Sequence, residues 1–232
     1  MPVRRRTVLL GAAGLGWPAR LSAAIAPAEV AGLLLPGNAE RIREAIAGGR
    51  IVVAPWGSTQ EGLFAAATAG DGDDLTVGLL REGDPATVAA GPISIEALTI
   101  DPFWSTILTI ERQHPLARFP VVAVGVSNGY TSTGRSTWTK ALHLFLRRRE
   151  ALLPTFGCML EARHSEQIGP RGQRLNWTRQ YAVAAVDAAR ADGLPDLLVR
   201  DARTRVAVSR HRWRGDAYHP PLFRRLGPFG PG

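Results

Sequence analysis

From Ile51 to Trp213 the chain is a succession of short apolar or alternating runs at close spacing, cut apart by turn residues. That punctuation favours an antiparallel meander, packed as a sandwich, an open barrel or a propeller-like sheet. Residues 51–54 lead into Pro55, and Leu63–Ala69 faces Asp74–Arg81 across Gly70-Asp71-Gly72-Asp73, a plausible hairpin turn. Residues 93–100 and 105–111 alternate, 121–126 form a continuous buried-strand pattern, and 174–186 read as a long strand. Residues 197–200 and 206–213 close the pattern around a turn at 201–204. Residues 137–147 fit a strand or a helix equally well, because Ala141, Leu142 and Phe145 also share a helical face. One short N-terminal helix is expected over residues 39–47, with Asn38 as N-cap, Glu40 in the first turn and Gly48-Gly49 as the stop. With 232 residues, 45% of them hydrophobic and 21% charged, the chain suffices for one β-rich domain over residues 25–219.

The first 24 residues contain Arg4, Arg5, Arg6 and Arg20 and no acid. A short Gly- and Ala-rich apolar run and then Ser22-Ala23-Ala24 follow the triple arginine, so 1–24 resembles a twin-arginine signal peptide. The resemblance implies folded export to a periplasm or the medium, and the run is too short to span a bilayer. Removing those four arginines takes the formal charge from +8 to +4, a mildly basic domain. Lys140 is the only lysine, so a bias toward arginine codons explains the arginine count more simply than phosphate recognition does. Cys158, the single cysteine, has no partner for an internal disulfide and sits in an apolar stretch, as a buried structural thiol does. Residues 220–232, rich in Pro, Gly and Arg, read as a flexible tail.

Gly125-Val126-Ser127-Asn128-Gly129 matches G-x-S-x-G directly after a strand. In a nucleophile elbow the glycines let the chain turn tightly enough to expose the serine, and Asp187 followed by His211 supplies the acid-then-histidine order of an exported serine hydrolase. Asp192, Asp196 and His219 are the other candidates for those roles. An elbow must open into a helix, whereas residues 130–136 are turn- and strand-prone, so the preferred reading is non-catalytic. Residues 127–136 then form a polar loop joining two strands, with Ser127, Asn128 and Tyr130 as an adaptable binding tip. Ser127-Asn128-Gly129-Tyr130 resembles the Ser/Gly and Tyr loop that periplasmic lysozyme inhibitors insert into an enzyme cleft.

Asp192-Gly193-Leu194-Pro195-Asp196-Leu197-Leu198-Val199 is similar to the end of an FG-GAP or VCBS-type propeller repeat. That family's calcium ligands precede this stretch, but Ala188 and Arg190 stand at those positions, which argues against calcium. His114, His143, His164, His211 and His219 lie singly, without metal-ligand spacing, so no metal or cofactor is expected. Strand alternation places Arg210, Arg212 and Arg214 on one face beside Trp213, a cationic stripe for lipopolysaccharide or another anionic polymer. The expected partners are therefore a periplasmic protein or an anionic envelope polymer, with no nucleic acid and no transmembrane segment.

Overall fold

A computed structural model describes residues 26–34, 39–57, 61–69, 74–82, 84–96, 104–169, 172–187 and 193–221. The segment 1–24, the turn at 70–73, Asp101-Pro102-Phe103, the run 188–192 and the tail from 222 lie outside the described residues. Two short helices, α1 (Pro27–Leu34) and α2 (Ala39–Ala47), precede the strands. The sequence pattern anticipates only α2. In α1 the cap comes from Glu29, whose carboxylate accepts the Ala26 backbone N–H at 3.0 Å, and not from a Ser, Thr, Asn or Asp signal.

The remainder is mainly β and antiparallel throughout. A four-stranded meander contains β1 (Ile51–Trp56), β2 (Leu63–Ala69), β3 (Asp74–Arg81) and β4 (Asp84–Glu96). An eight-stranded meander follows, with β5 (Trp104–Ile110), β6 (Val121–Ser132), β7 (Arg135–Arg148) and β8 (Ala151–Ile168) as its first half. Its second half is β9 (Gln173–Val186), β10 (Asp196–Asp201), β11 (Ala207–Trp213) and β12 (Tyr218–His219).

The two sheets pack face to face as a sandwich. Leu63, Ala65, Leu75, Val77 and Leu79 of the first sheet meet Leu108, Val122, Val124, Val126 and Phe145 of the second. Trp56 ties the layers together at one end, its indole N–H donating to the Val121 carbonyl at 3.2 Å and its ring lying under Arg147. The opposite face of the first sheet is covered by Val30 and Leu34 of α1, against Phe64, Ala66 and Leu80. Both faces of β2 and β3 are therefore buried, which explains their unbroken apolar sequence.

The long sheet also uses both faces, because its last strands curl over. Val121, Ala123, Leu142, Leu144, Phe156 and Cys158, pointing away from the first sheet, form a second cluster with Leu194, Leu197, Val199 and Tyr218. The Phe156 ring meets His211 and Tyr218 edge-on, at 5.1 and 5.8 Å. The Cys158 thiol lies in this cluster, and burial pushes its pKa up to about 12.

One open reading is resolved and one expectation is corrected. The ambiguous stretch 137–147 lies within strand β7. Residues 127–136 are not a loop: β6 runs on to Ser132 and β7 starts at Arg135, so only Thr133 and Gly134 turn, with Gly134 at φ 82°.

Candidate functional site

Beyond Val126 the side chains of β6 change from apolar to polar, and β7, β8 and β9 change with it. The pairing there is regular, so residues opposite one another form straight rows across the sheet. One row runs Ser105, Gly129, Trp138, Arg163, Thr178, and the parallel row on the same face is Thr131, Ser136, Ser165, Asn176. The row between them, Tyr130, Thr137, His164, Trp177, points to the other face. All thirteen residues line one open groove of about 700 Å³. By strand alternation, the first two rows supply its side chains and the third its backbone floor.

Two devices shape the groove. Gly129 makes room for the indole: a methyl group there would stand 3.4 Å from Trp138 Cδ1 and 3.1 Å from Ser105 Oγ. On the other side of Trp138, the Arg163 guanidinium lies 5.1 Å from the ring centre, a cation–π contact. The Arg163 Nε–H also donates to Glu161 at 2.5 Å, and Glu161 accepts Gln180 Nε2 at 2.9 Å. Beneath the floor, Thr137 and His164 are buried, with Thr137 Oγ1 3.0 Å from His164 Nδ1. His164 stacks on Trp177 at 5.6 Å, and its Nε2 lies 3.3 Å from Glu166. The buried polar pair beneath the floor is thus hydrogen-bonded within the protein.

Just outside the groove, on the same face, Lys140 pairs with Glu111 at 2.9 Å, and Thr109 donates to the same carboxylate at 2.9 Å. Burial pushes the Glu111 pKa upward, but the hydrogen bonds and charge of Lys140, with Thr109, outweigh it and hold the group below its usual value.

The G-x-S-x-G segment takes its place in this scheme. Residues 125–129 are mid-strand in β6, and no helix follows, so the chain makes no elbow. Both glycines serve cross-strand packing. A methyl group on Gly125 would overlap the Thr109 hydroxyl and the Glu111 carboxylate, as one on Gly129 would crowd Trp138. Ser127 lies between them, half-buried, opposite Ile107 and Lys140. Asn128 points to the other face, where its Oδ1 accepts the Thr106 hydroxyl at 2.8 Å.

The other proposed triad members are engaged elsewhere. His211 is fully buried in the second cluster, with Nε2 2.8 Å from Ser209 Oγ and Nδ1 bonded to the Pro220 carbonyl. Because that carbonyl only accepts, Nδ1 is the donor in that bond. The Asp187 carboxylate pairs with Arg210. Ser127, His211 and Asp187 therefore have separate partners and form no relay.

The arginine stripe forms in part: Arg210 and Arg212 are exposed on one face of β11, as alternation places them, with His211 and Trp213 turned inward. Arg210 is bound by both Asp187 and Asp196, which cancels its charge locally. Arg212 is exposed on β11, and Arg214 lies beyond the strand's end, its backbone N–H donating to the Ala217 carbonyl. Trp213 packs inward against Tyr218, with rings 5.2 Å apart, and fills the space above Gly193, where no Cβ would fit. Its backbone N–H donates to Asp196 at 3.3 Å. The Asp196 carboxylate is thus committed to Arg210 and Trp213, and Asp192 lies outside the described residues.

The groove residues Trp138, Arg163, Ser165, Asn176 and Thr178 were not singled out by sequence reasoning. Only Tyr130 and the neighbouring Ser127 and Asn128 pointed to this end of the molecule. The available signal was the polarity of 161–180, two strands in which neither parity is apolar. No family model, curated protein or solved structure matches this chain. What fold and site define is a two-sheet β domain with an open, polar, aromatic-bearing groove on its longer sheet.

Proposed function

We propose that this is an exported, non-catalytic β domain that binds a polyhydroxylated envelope polymer in the groove over β5–β9. The supporting observation is the groove's chemistry: a tryptophan ring against the sheet, surrounded by hydroxyl and amide groups from Ser105, Thr131, Ser136, Ser165, Asn176 and Thr178. An indole offers a flat apolar surface to the C–H face of a sugar ring, and hydroxyls and amides both donate to and accept from sugar hydroxyls. A protein partner is the weaker fit, because a protein interface concentrates apolar and aromatic residues at its core, whereas this face carries one indole among polar groups. An extended polymer also suits an open groove that crosses five adjacent strands, roughly 19 Å at the usual strand spacing. Export rests on the resemblance of residues 1–24 to a twin-arginine signal. No helix among the described residues is long and apolar enough to cross a membrane.

The test is titration of the protein with a panel of neutral and acidic soluble glycans, read by tryptophan fluorescence and calorimetry. Binding should saturate for at least one glycan and drop at least about tenfold in Trp138→Ala. Trp213→Phe, a change in the distant second cluster, should leave affinity unchanged. Absence of binding across the panel, or binding indifferent to Trp138→Ala in a variant with a native circular dichroism spectrum, would overturn the reading.

A further inference from the structure

We infer that the polymer this groove accepts carries carboxylates, as a uronic-acid glycan does, and that Arg163 is the group that clamps them. The inference rests on the groove being a polymer site and adds the chemical class of its occupant.

Arg163 is held before any ligand arrives. Its Nε–H is spent on Glu161, its guanidinium carbon lies 5.1 Å from the centre of the Trp138 ring, and Glu161 itself accepts from Gln180. The side chain nevertheless remains 60% exposed at the groove. Its Nη hydrogens have no acceptor among the described residues. A guanidinium with one edge pinned and the other open offers the paired N–H geometry that a carboxylate fits. The rotamer entropy that normally opposes such a contact is already spent in the unliganded fold. A neutral glycan would cover the same edge with hydroxyls alone, a weaker exchange for the water it displaces.

The surrounding charges also select against denser polyanions. Two of the three cations on this face have an acid beside them, Arg163 with Glu161 and Lys140 with Glu111, and the third is Arg174, exposed one row beyond Asn176. Three cations against two carboxylates leave this face only one positive charge, so heparin or nucleic acid would meet Glu111 and Glu161 and release few counterions. A glycan with one carboxylate per sugar can place a single carboxylate on Arg163. Its hydroxyls then meet Ser136, Ser165, Asn176 and Thr178, which occupy the same face of the sheet.

The experiment compares oligogalacturonate with its methyl ester, the same sugar backbone with the charge removed, on the full chain. The acid form should bind at least about tenfold tighter than the ester. Arg163→Gln should abolish that preference, so that acid and ester bind with similar affinity, and Arg163→Lys should restore part of it, because charge returns without the fork. Equal affinity for acid and ester, or heparin binding more tightly than oligogalacturonate, would overturn the carboxylate inference and leave the groove reading standing. If neither acid nor ester binds while a neutral glycan binds through Trp138, the carboxylate inference alone falls. If no glycan binds at all, both fall together.

Discussion

Acid should destabilise this protein through His143, and the size of the effect follows from where the side chain lies. His143 sits mid-strand in β7, opposite Val124 on one side and Gly157 on the other, on the face turned toward the first sheet. Burial there pulls its pKa from 6.5 to about 4. The folded protein thus holds the ring neutral where the unfolded chain would take up a proton. This contribution is present in full above pH 6.5 and is lost as pH falls toward 4. At about 1.4 kcal/mol per pH unit, the loss is about 2 kcal/mol by pH 5 and about 3 kcal/mol by pH 4. That is a large share of the roughly 5–15 kcal/mol typical of a domain. Urea unfolding at pH 7.5, 6.0, 5.0 and 4.5, followed by tryptophan fluorescence, measures it. His143→Phe keeps most of the volume and removes the titration, so its stability should fall less between pH 6.5 and 4.5, by about 2 kcal/mol or more. His114, also lowered by burial although Glu111 opposes the shift, keeps its contribution in both proteins and cancels in the comparison. Wild type and variant falling in parallel over that window would refute the argument.

Other outcomes follow from the same geometry. Cys158 should resist a thiol reagent at pH 8 in the native protein and react stoichiometrically in 6 M guanidinium, since a thiol with a pKa near 12 is almost never a thiolate at pH 8. Rapid native labelling would mean that the second cluster opens readily. Fluorophosphonate probes should leave Ser127 unmodified by mass spectrometry, because the residue is mid-strand and paired with Lys140 and Ile107; a labelled Ser127 would revive the hydrolase assignment. Gly125→Ala should lower stability by about 1 kcal/mol, since the new methyl group displaces Thr109 and Glu111 and weakens the Lys140 pair. An unchanged thermal midpoint would show that those side chains move aside at no cost. Arg210→Ala should destabilise more than Arg212→Ala, by under about 1 kcal/mol for these largely exposed groups, because only Arg210 bridges two aspartates.

The fold was legible where one face of a strand is polar or where turn chemistry brackets a run. Leu63–Ala69 and Asp74–Arg81 can be read with their boundaries intact, because Gly70-Asp71-Gly72-Asp73 separates them. The longest strand, Ala151–Ile168, escaped, and its pairing explains why. Thr155 and Leu160 are extra residues opposite β7, each forming a bulge that resets which parity faces which layer. Leu152 therefore joins the core between the sheets while Phe156 and Cys158 join the other cluster, and no single alternation runs through the strand. Pro154 and Gly157 then read as breakers, although Pro154 stands beside the first bulge, where a strand tolerates proline.

The site was hidden by a different cause. A groove floored by four strands needs register, and register is a long-range property: Trp138 meets Gly129 nine residues earlier and Arg163 twenty-five later only once both hairpins are aligned. Short motifs are scored along the chain, so G-x-S-x-G drew notice for its serine, whereas the structure uses its glycines. Each glycine lies under a larger neighbour from the next strand, Thr109 at Gly125 and Trp138 at Gly129, and the two contacts bracket Ser127 on one face. The same spacing that imitates a nucleophile elbow thus arises from two residues of equal parity on a strand, each omitting a side chain so that a cross-strand partner can lie flat. That reading ties the motif to the groove: enlarging Gly129 should tilt Trp138 and weaken glycan binding, whereas enlarging Ser127 to Thr, a residue at home in strands, should change neither fold nor affinity.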